Sequence, residues 1–450
     1  MKKSMLLMIT SVLLSVLITS AGCTAPPVPP EHTPAEGRLV LTDPVLPVVT
    51  PYVQELPAIG SPPVLSVSAQ PSAPRTAYRT TNISGEIRAV WISFLELGPM
   101  MQGKTEAQFT QSVRTMFDRC ADFGINTLYV QVRPYGDALY ESSYFPWSFL
   151  CTGIEGQNPG YDPLAVMLRE AKERGLRFEA WLNPYRVRSA GSSVALHSGN
   201  QAKKWLDQND AAAISYQGII SYNPASAKAR RLIINGALEL IRKYRVDGIH
   251  IDDYFYPTTS EAFDRASYSS YRNSGGKMTL ENWRRANVER LLRDMYSAIK
   301  EENPNVTFGI SPQGNLSNNF NQQYFNSEKI ISNPGYCDYI IPQIYYGFQN
   351  TTLPYAKTVD QWDRMTRAEG VELIIGLAAY KAGIADSWAG SGAQEWVRGR
   401  DILKRQVEYA RNADNYKGFA VFRYASLFAP ESGLRAHAQA EAANLRQILK

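Results

Sequence analysis

From Glu86 onward the chain repeats one pattern: a short β-branched run, a polar and aromatic stretch, an amphipathic helical stripe, a tight turn, then the next run. The short apolar runs fall at residues 87–93, 127–133, 177–183, 248–252, 306–313, 339–345, 373–380 and 419–424. Helix signals lie between them. Thr105 and Gln108 have capping-box spacing ahead of Phe109, Val113, Met116, Phe117 and Cys120. Asp162-Pro163 gives an N-cap and a first-turn proline before Leu164, Met167 and Leu168. Trp283, Val288, Leu291, Leu292, Met295 and Ile299 draw a further stripe. Eight strand–helix units predict an α/β fold of the closed (β/α)8, TIM-type barrel class, with an open doubly wound sheet as the alternative.

The connections give this barrel a direction. Helix-to-strand turns are short, as at Phe123-Gly124-Ile125 and Arg174-Gly175-Leu176, whereas strand-to-helix segments such as 135–160, 187–222, 254–279 and 314–332 are long and rich in Tyr, Trp, Asn and Gly. Long loops on that face are expected to carry the site. Alternation along each strand sorts the side chains. Leu128, Val130 and Val132 form a helix-facing set, which points Thr127, Tyr129, Gln131 and Arg133 inward. By the same rule Arg177, Glu179, Trp181 and Asn183, then His250 and Asp252, then Ser311 and Gln313, then Gln343 and Tyr345 line the interior. An ordinary barrel fills such positions with Val, Ile and Leu, so a polar interior needs either a function or a complete hydrogen-bond network.

The first residues alter the picture of where this barrel works. Lys2 and Lys3 precede an apolar run from Met5 to Ile18, and Ser20-Ala21-Gly22 precede Cys23. Residues 1–22 therefore read as a secretory signal, and the cysteine after them resembles the lipidation site of bacterial lipoproteins, with Ser20 where Leu is usual. Thirteen of the chain's 27 prolines fall between Thr24 and Ile83, which forbids helix and disrupts strand pairing. Residues 23–83 are expected to be a tether and residues 84–450 the barrel, exported and held to a bacterial membrane by a lipid on Cys23. Without Cys23 three cysteines remain, an odd number that rules out a full disulfide framework, and Cys120 reads as a buried apolar residue. With 47 basic against 42 acidic residues, a net charge of +5 and no basic run, the chain has no signature for nucleic acid. Four histidines without metal-ligand spacing argue against a metal-dependent deacetylase using Asp252-Asp253, and no cofactor motif occurs.

The chemistry concentrates in Asp247-Gly248-Ile249-His250-Ile251-Asp252-Asp253-Tyr254-Phe255-Tyr256-Pro257, which puts an inward carboxylate at a strand's C-terminal end ahead of three aromatics. Sugars present hydroxyls to carboxylates, amides and guanidinium groups, and C–H faces to aromatic rings; the mouth residues suit a polysaccharide. Asp252 is the first candidate for catalysis. Its structural alternative is an acid paired with Arg133 or Arg177. Asp253, of opposite parity, is read either as catalytic or as a loop anchor or helix cap. Glu179, deeper in the barrel, is a possible partner that could raise the pKa of Asp252 by like charge, and Asp137 on a mouth loop is another. Trp91, Arg133, Trp181, Asn183, Tyr185, Arg186, His250, Tyr254, Gln313, Gln343, Tyr345 and Tyr380 are the candidate sugar-contacting residues.

Arg88-Ala89-Val90-Trp91, Tyr129-Val130-Gln131-Val132-Arg133-Pro134, Ala180-Trp181-Leu182-Asn183-Pro184-Tyr185-Arg186, His250 to Pro257, and Ile341-Pro342-Gln343-Ile344-Tyr345-Tyr346 resemble the glycosyl hydrolase-like 10 family, and the resemblance spans roughly residues 86–427. It implies an exported barrel glycosidase and a bacterial cell-wall glycan, including peptide-free peptidoglycan strands, as substrate class. Glu179 stands where the resemblance leads one to expect His, so no role passes to it. The fourth run also resembles a chitinase-type strand, with His250 and Tyr254 at the positions of that strand's first Asp and final Glu; the chitinase acid is absent. A glycan-binding lipoprotein without catalysis is the alternative function.

Overall fold

The computed structural model describes residues 78–449. Cys23, the signal segment 1–22 and the tether up to residue 77 lie outside the described residues.

In chain order the strands are β1 (Ile87–Ile92), β2 (Thr127–Arg133), β3 (Arg177–Leu182), three short strands β4 (Arg186–Arg188), β5 (Ala213–Tyr216) and β6 (Ile219–Tyr222), then β7 (Gly248–Ile251), β8 (Thr307–Ile310), β9 (Tyr339–Ile340), β10 (Glu372–Ala378) and β11 (Tyr416–Phe422). Eight of them close a parallel barrel in the order β1-β11-β10-β9-β8-β7-β3-β2, so the open-sheet alternative falls. Each barrel strand is followed by a helix on the outside, from Glu106–Phe123 after β1 to Arg435–Arg446 after β11. Their starts are set by the signals in the sequence. Thr105 Oγ1 accepts the Gln108 N–H at 3.3 Å while Gln108 Oε1 accepts the Thr105 N–H at 3.1 Å, and Asp162 accepts from Ala165 N–H ahead of Pro163.

Strand alternation produces two separate apolar cores. Val90, Ile92, Leu128, Val130, Ala180, Leu182, Ile249 and Ile251 pack against the helices, together with Cys120. Ala89, Trp91, Tyr129, Trp181, Tyr339, Ile341, Ile374 and Ala420 fill the barrel. All three described cysteines are free and buried.

Several expected strands are shorter than their apolar runs. The eighth strand ends at Ile310 before Pro312, and β9 has only two residues before Pro342, because proline cannot donate to the ladder. Beyond those prolines the sheet survives as single bridges, Gln313 to Gln343 and Gln343 to Gly376. The long segment after β3, read as loop, holds an antiparallel sheet in the order β4-β6-β5. Its β5–β6 hairpin turns at Gln217 and Gly218, both at positive φ (49° and 79°).

The base of the barrel is tied to residues just before β1. Tyr78 Oη donates to Val246 O at 2.5 Å, Thr81 N–H donates to Asp247 Oδ1 at 2.6 Å, and Arg177 Nη1 donates to Thr81 O at 2.7 Å. These residues, assigned to the tether from proline spacing, bond to the barrel through the Tyr78 hydroxyl and the Thr81 backbone, and proline spacing does not register that.

Candidate active site

Inside the barrel the polar residues fall into two layers. In the lower layer Glu179 Oε1 accepts from Arg177 Nε at 2.8 Å and from Thr307 Oγ1 at 3.0 Å. Glu179 Oε2 accepts from Tyr339 Oη at 2.5 Å, and Tyr339 Oη lies 3.1 Å from His250 Nδ1. Trp91 Nε1 donates to His250 Nε2 at 3.1 Å. An indole N–H only donates, so His250 Nε2 is unprotonated and its proton sits on Nδ1, facing Tyr339. Burial agrees, pushing the imidazole down to about 3 and keeping it neutral. Tyr129 stacks on the same imidazole with ring centres 4.5 Å apart.

This layer corrects two expectations. His250 and Trp91 are sealed inside the barrel and serve as packing and hydrogen-bonding partners for each other, so His250 does not contact a sugar. Glu179 is held by Arg177 near the barrel base, opposite Gly248, the first residue of β7. The like charge that acts on Asp252 belongs to Asp253, not to Glu179.

The upper layer centres on Asp252. Trp181 Nε1 donates to its Oδ2 at 3.0 Å, Asn183 Nδ2 donates to the same oxygen, and Tyr254 N–H donates to Oδ1 at 3.3 Å. Asn183 is oriented in turn by Gln131 Nε2 and Arg186 Nη2, each 2.6 Å from its Oδ1. Arg186 also donates to Pro134 O at 2.8 Å and lies over the rings of Tyr135 (4.8 Å) and Tyr254 (4.4 Å). The carboxylate is therefore aimed by residues on or just beyond β2, β3 and β7 and has only 3% exposure. Neither Arg133 nor Arg177 pairs with it.

Asp253 turns into the same mouth. Gln343 Nε2 donates to its Oδ1 at 3.4 Å, and Gln313 bonds it as well. The strand ends at Ile251, so two-residue alternation stops applying before Asp252 and Asp253, and Asp253, of opposite parity, still reaches Gln313 and Gln343 at the mouth. Burial first, and then the charge of Asp253, push the Asp252 carboxyl up to about 7, against the opposing pull of Arg186, Tyr254 N–H and Trp181. Asp253 is also raised, mainly by burial, with Gln313, Gln343 and Arg186 opposing. Burial and like charge together oppose ionisation of both carboxyls at once.

Around this pair lie half-buried Gln313, Gln343, Tyr345 and Arg186, with Tyr254 and Tyr380 exposed at the rim. Tyr345 meets Tyr380 edge-on at 5.7 Å and lies 5.8 Å from Phe422. Three candidates sit elsewhere. A register shift between Gln131 and Arg133 turns Arg133 out of the barrel, where it lies over Phe145 at 4.8 Å and donates to Tyr135 O. Tyr185 is buried in the helix-side core. Asp137 is fully buried, accepting from Phe149 N–H at 3.3 Å and pairing with Arg188, which also pairs with Glu155; it fastens the loop after β2.

Phe422, which packs against Tyr345 and Tyr380, was missed. Phe422 has the inward parity of Ala420, and alternation along the last strand would have found it. Arg423 lies just beyond the strand and is held by Glu96 at 2.5 Å, a contact between the first and last units that no local pattern reveals. Among the described residues no group of three or more His, Cys, Asp or Glu side chains is arranged to hold a metal ion.

The chain is 34% identical over 352 residues to glycosyl hydrolase YngK of Bacillus subtilis (strain 168), covering 74% of this chain and 68% of that protein. It is 30% identical over 407 residues to glycosyl hydrolase DigH of Escherichia coli (strain K12), covering 83% and 90% respectively. The catalytic domain of β-amylase from Paenibacillus polymyxa superposes with a TM-score of 0.51 at 12% identity, covering 81% of this chain and all of that domain, a likeness of fold alone. Residues 86–391 match the glycosyl hydrolase-like 10 family. The chain belongs to the glycosyl hydrolase-like 10 family and is a glycosidase built on a (β/α)8 barrel.

Proposed function

We propose that this glycosidase cleaves bacterial cell-wall glycan strands, peptide-free peptidoglycan among them, by acid/base chemistry of the Asp252–Asp253 pair, and that it does so outside the cytoplasm, anchored by a lipid on Cys23. The observation carrying the chemistry is the pair itself: two adjacent carboxyls turned into the C-terminal mouth of the barrel, both pushed up by burial and Asp252 further by the charge of Asp253. Glycoside hydrolysis needs a proton delivered to the leaving oxygen and negative charge near the anomeric carbon. A singly protonated pair holds both.

Asp252 is the better-aimed member, locked by Trp181 and Asn183, and Asp253 the more accessible one. Arg186 lies close enough to act on both carboxyls, so it favours the singly charged state over the neutral one. Gln313 and Gln343 offer amides that match sugar hydroxyls and the acetamido groups of wall glycans. The signal-like N-terminus supports a wall substrate, since an exported bacterial hydrolase meets that glycan first.

The test is incubation of the protein with peptide-free peptidoglycan strands and a panel of α- and β-glucans, with products read by mass spectrometry. New reducing ends from the wall strands, lost in Asp252→Asn, are expected. Cleavage of glucans alone would overturn the substrate, and binding of wall strands without products would favour the non-catalytic lipoprotein.

A further inference from the structure

Eight large apolar side chains stand exposed among the described residues: Leu95, Ile154, Tyr254, Met278, Phe320, Tyr380, Ile384 and Trp388. Every one lies on a segment that leaves the C-terminal end of a barrel strand for the following helix. Isolated exposed apolar groups are ordinary on a protein surface, but confinement of all of them to one face is not. Trp388 is the extreme case at 66% exposure. Six of the chain's eight tryptophans are buried and Trp147 is partly covered.

The backbone carrying this indole is fixed on both sides. Lys381 Nζ donates to Asp386 Oδ2 at 2.6 Å, and Asp386 Oδ1 accepts the N–H of Trp388 at 3.2 Å. Ala389 N–H donates to Asp386 O at 3.0 Å, and Ala389 O accepts from Thr351 N–H at 3.2 Å. The ring is thus held out by a pinned turn and is not the result of a frayed one. The turn is also continuous with the site. Tyr345, close enough to both carboxyls to feel their charge, packs on Tyr380, and Tyr380 adjoins the Lys381–Asp386 pair that holds Trp388.

We propose that Trp388 is a stacking platform for a pyranose ring of the substrate glycan, in a subsite beyond Tyr380 that only a chain longer than the sugars at the carboxyls can reach. A flat indole face matches the C–H face of a sugar, and a pinned backbone lowers the ordering cost of binding. The proposal rests on the glycan-hydrolase reading above.

The test uses the full-length protein with Asp252→Asn to block turnover, alone and combined with Trp388→Ala or Trp388→Phe. Affinity is measured for long peptide-free peptidoglycan strands and for their disaccharide unit. Trp388→Ala should weaken long-strand binding about tenfold, Trp388→Phe should restore most of it, and disaccharide affinity should stay within about twofold. Long strands should also shield one tryptophan from acrylamide quenching, and that protection should vanish in Trp388→Ala. Long-strand binding indifferent to Trp388→Ala would overturn the platform while leaving the glycan reading intact. Failure of the Trp388-intact protein to bind any strand would overturn both.

Discussion

Replacing Asp252 by Asn should make the protein more stable at alkaline pH while abolishing its activity. In the unfolded chain an aspartate releases its proton near pH 4, whereas in the folded protein burial and Asp253 hold it to about 7. Between those values the folded state binds more protons than the unfolded one, so stability falls as pH rises, by about 4 kcal/mol once pH exceeds 7. Asn carries no such cost. Its one carbonyl oxygen can still accept from Trp181 and Asn183, but its amide cannot accept from Tyr254 N–H, a loss of about 1 kcal/mol. That loss is the same at every pH and cancels in a comparison across pH. Urea unfolding of the wild type and Asp252→Asn at pH 5 and pH 8 should therefore show the stability difference moving by about 3 kcal/mol in the variant's favour at pH 8. Turnover of wall glycan should fall at least about 10³-fold. A stability difference that stays the same at both pH values would show that Asp252 ionises like an ordinary carboxylate, and near-normal turnover would remove it from the chemistry.

Two further outcomes follow from the same geometry and a third from the N-terminal sequence. Asp253→Asn removes the like charge beside Asp252, so turnover should drop by about 10² or more, and the residual activity should lose its alkaline limb at a lower pH than the wild type; a pH–rate profile with an unmoved limb would contradict the effect of Asp253 on Asp252. Trp181→Phe keeps a ring in the barrel but deletes the indole donor to Asp252, which should raise that carboxyl's pKa and cost about tenfold in kcat with little change in KM, read from steady-state kinetics over pH. For the anchor, Cys23→Ala should release the protein from the membrane fraction; a wild-type chain that mass spectrometry shows to be unlipidated would refute the anchored reading.

Much of the architecture was legible in the chain because the signals that specify it are local. Capping at Thr105 and Asp162, apolar stripes of helical spacing and period-two strands each act within a few residues, and eight repeats of the unit leave little choice but closure. The inward set from Tyr129 to Asp252 followed from the same parity wherever the strand was regular. What the sequence could not show begins where regularity ends. The register shift before Arg133 turned a mouth candidate into a core residue, and the end of the strand at Ile251 brought Asp253 to face the same space as Asp252. The Arg423–Glu96 pair joins residues more than 300 positions apart. Local periodicity reports which way a side chain points. How strongly two neighbouring carboxyls resist ionisation is set by which groups the closed barrel brings against them and by the exclusion of water, and only the tertiary structure fixes those.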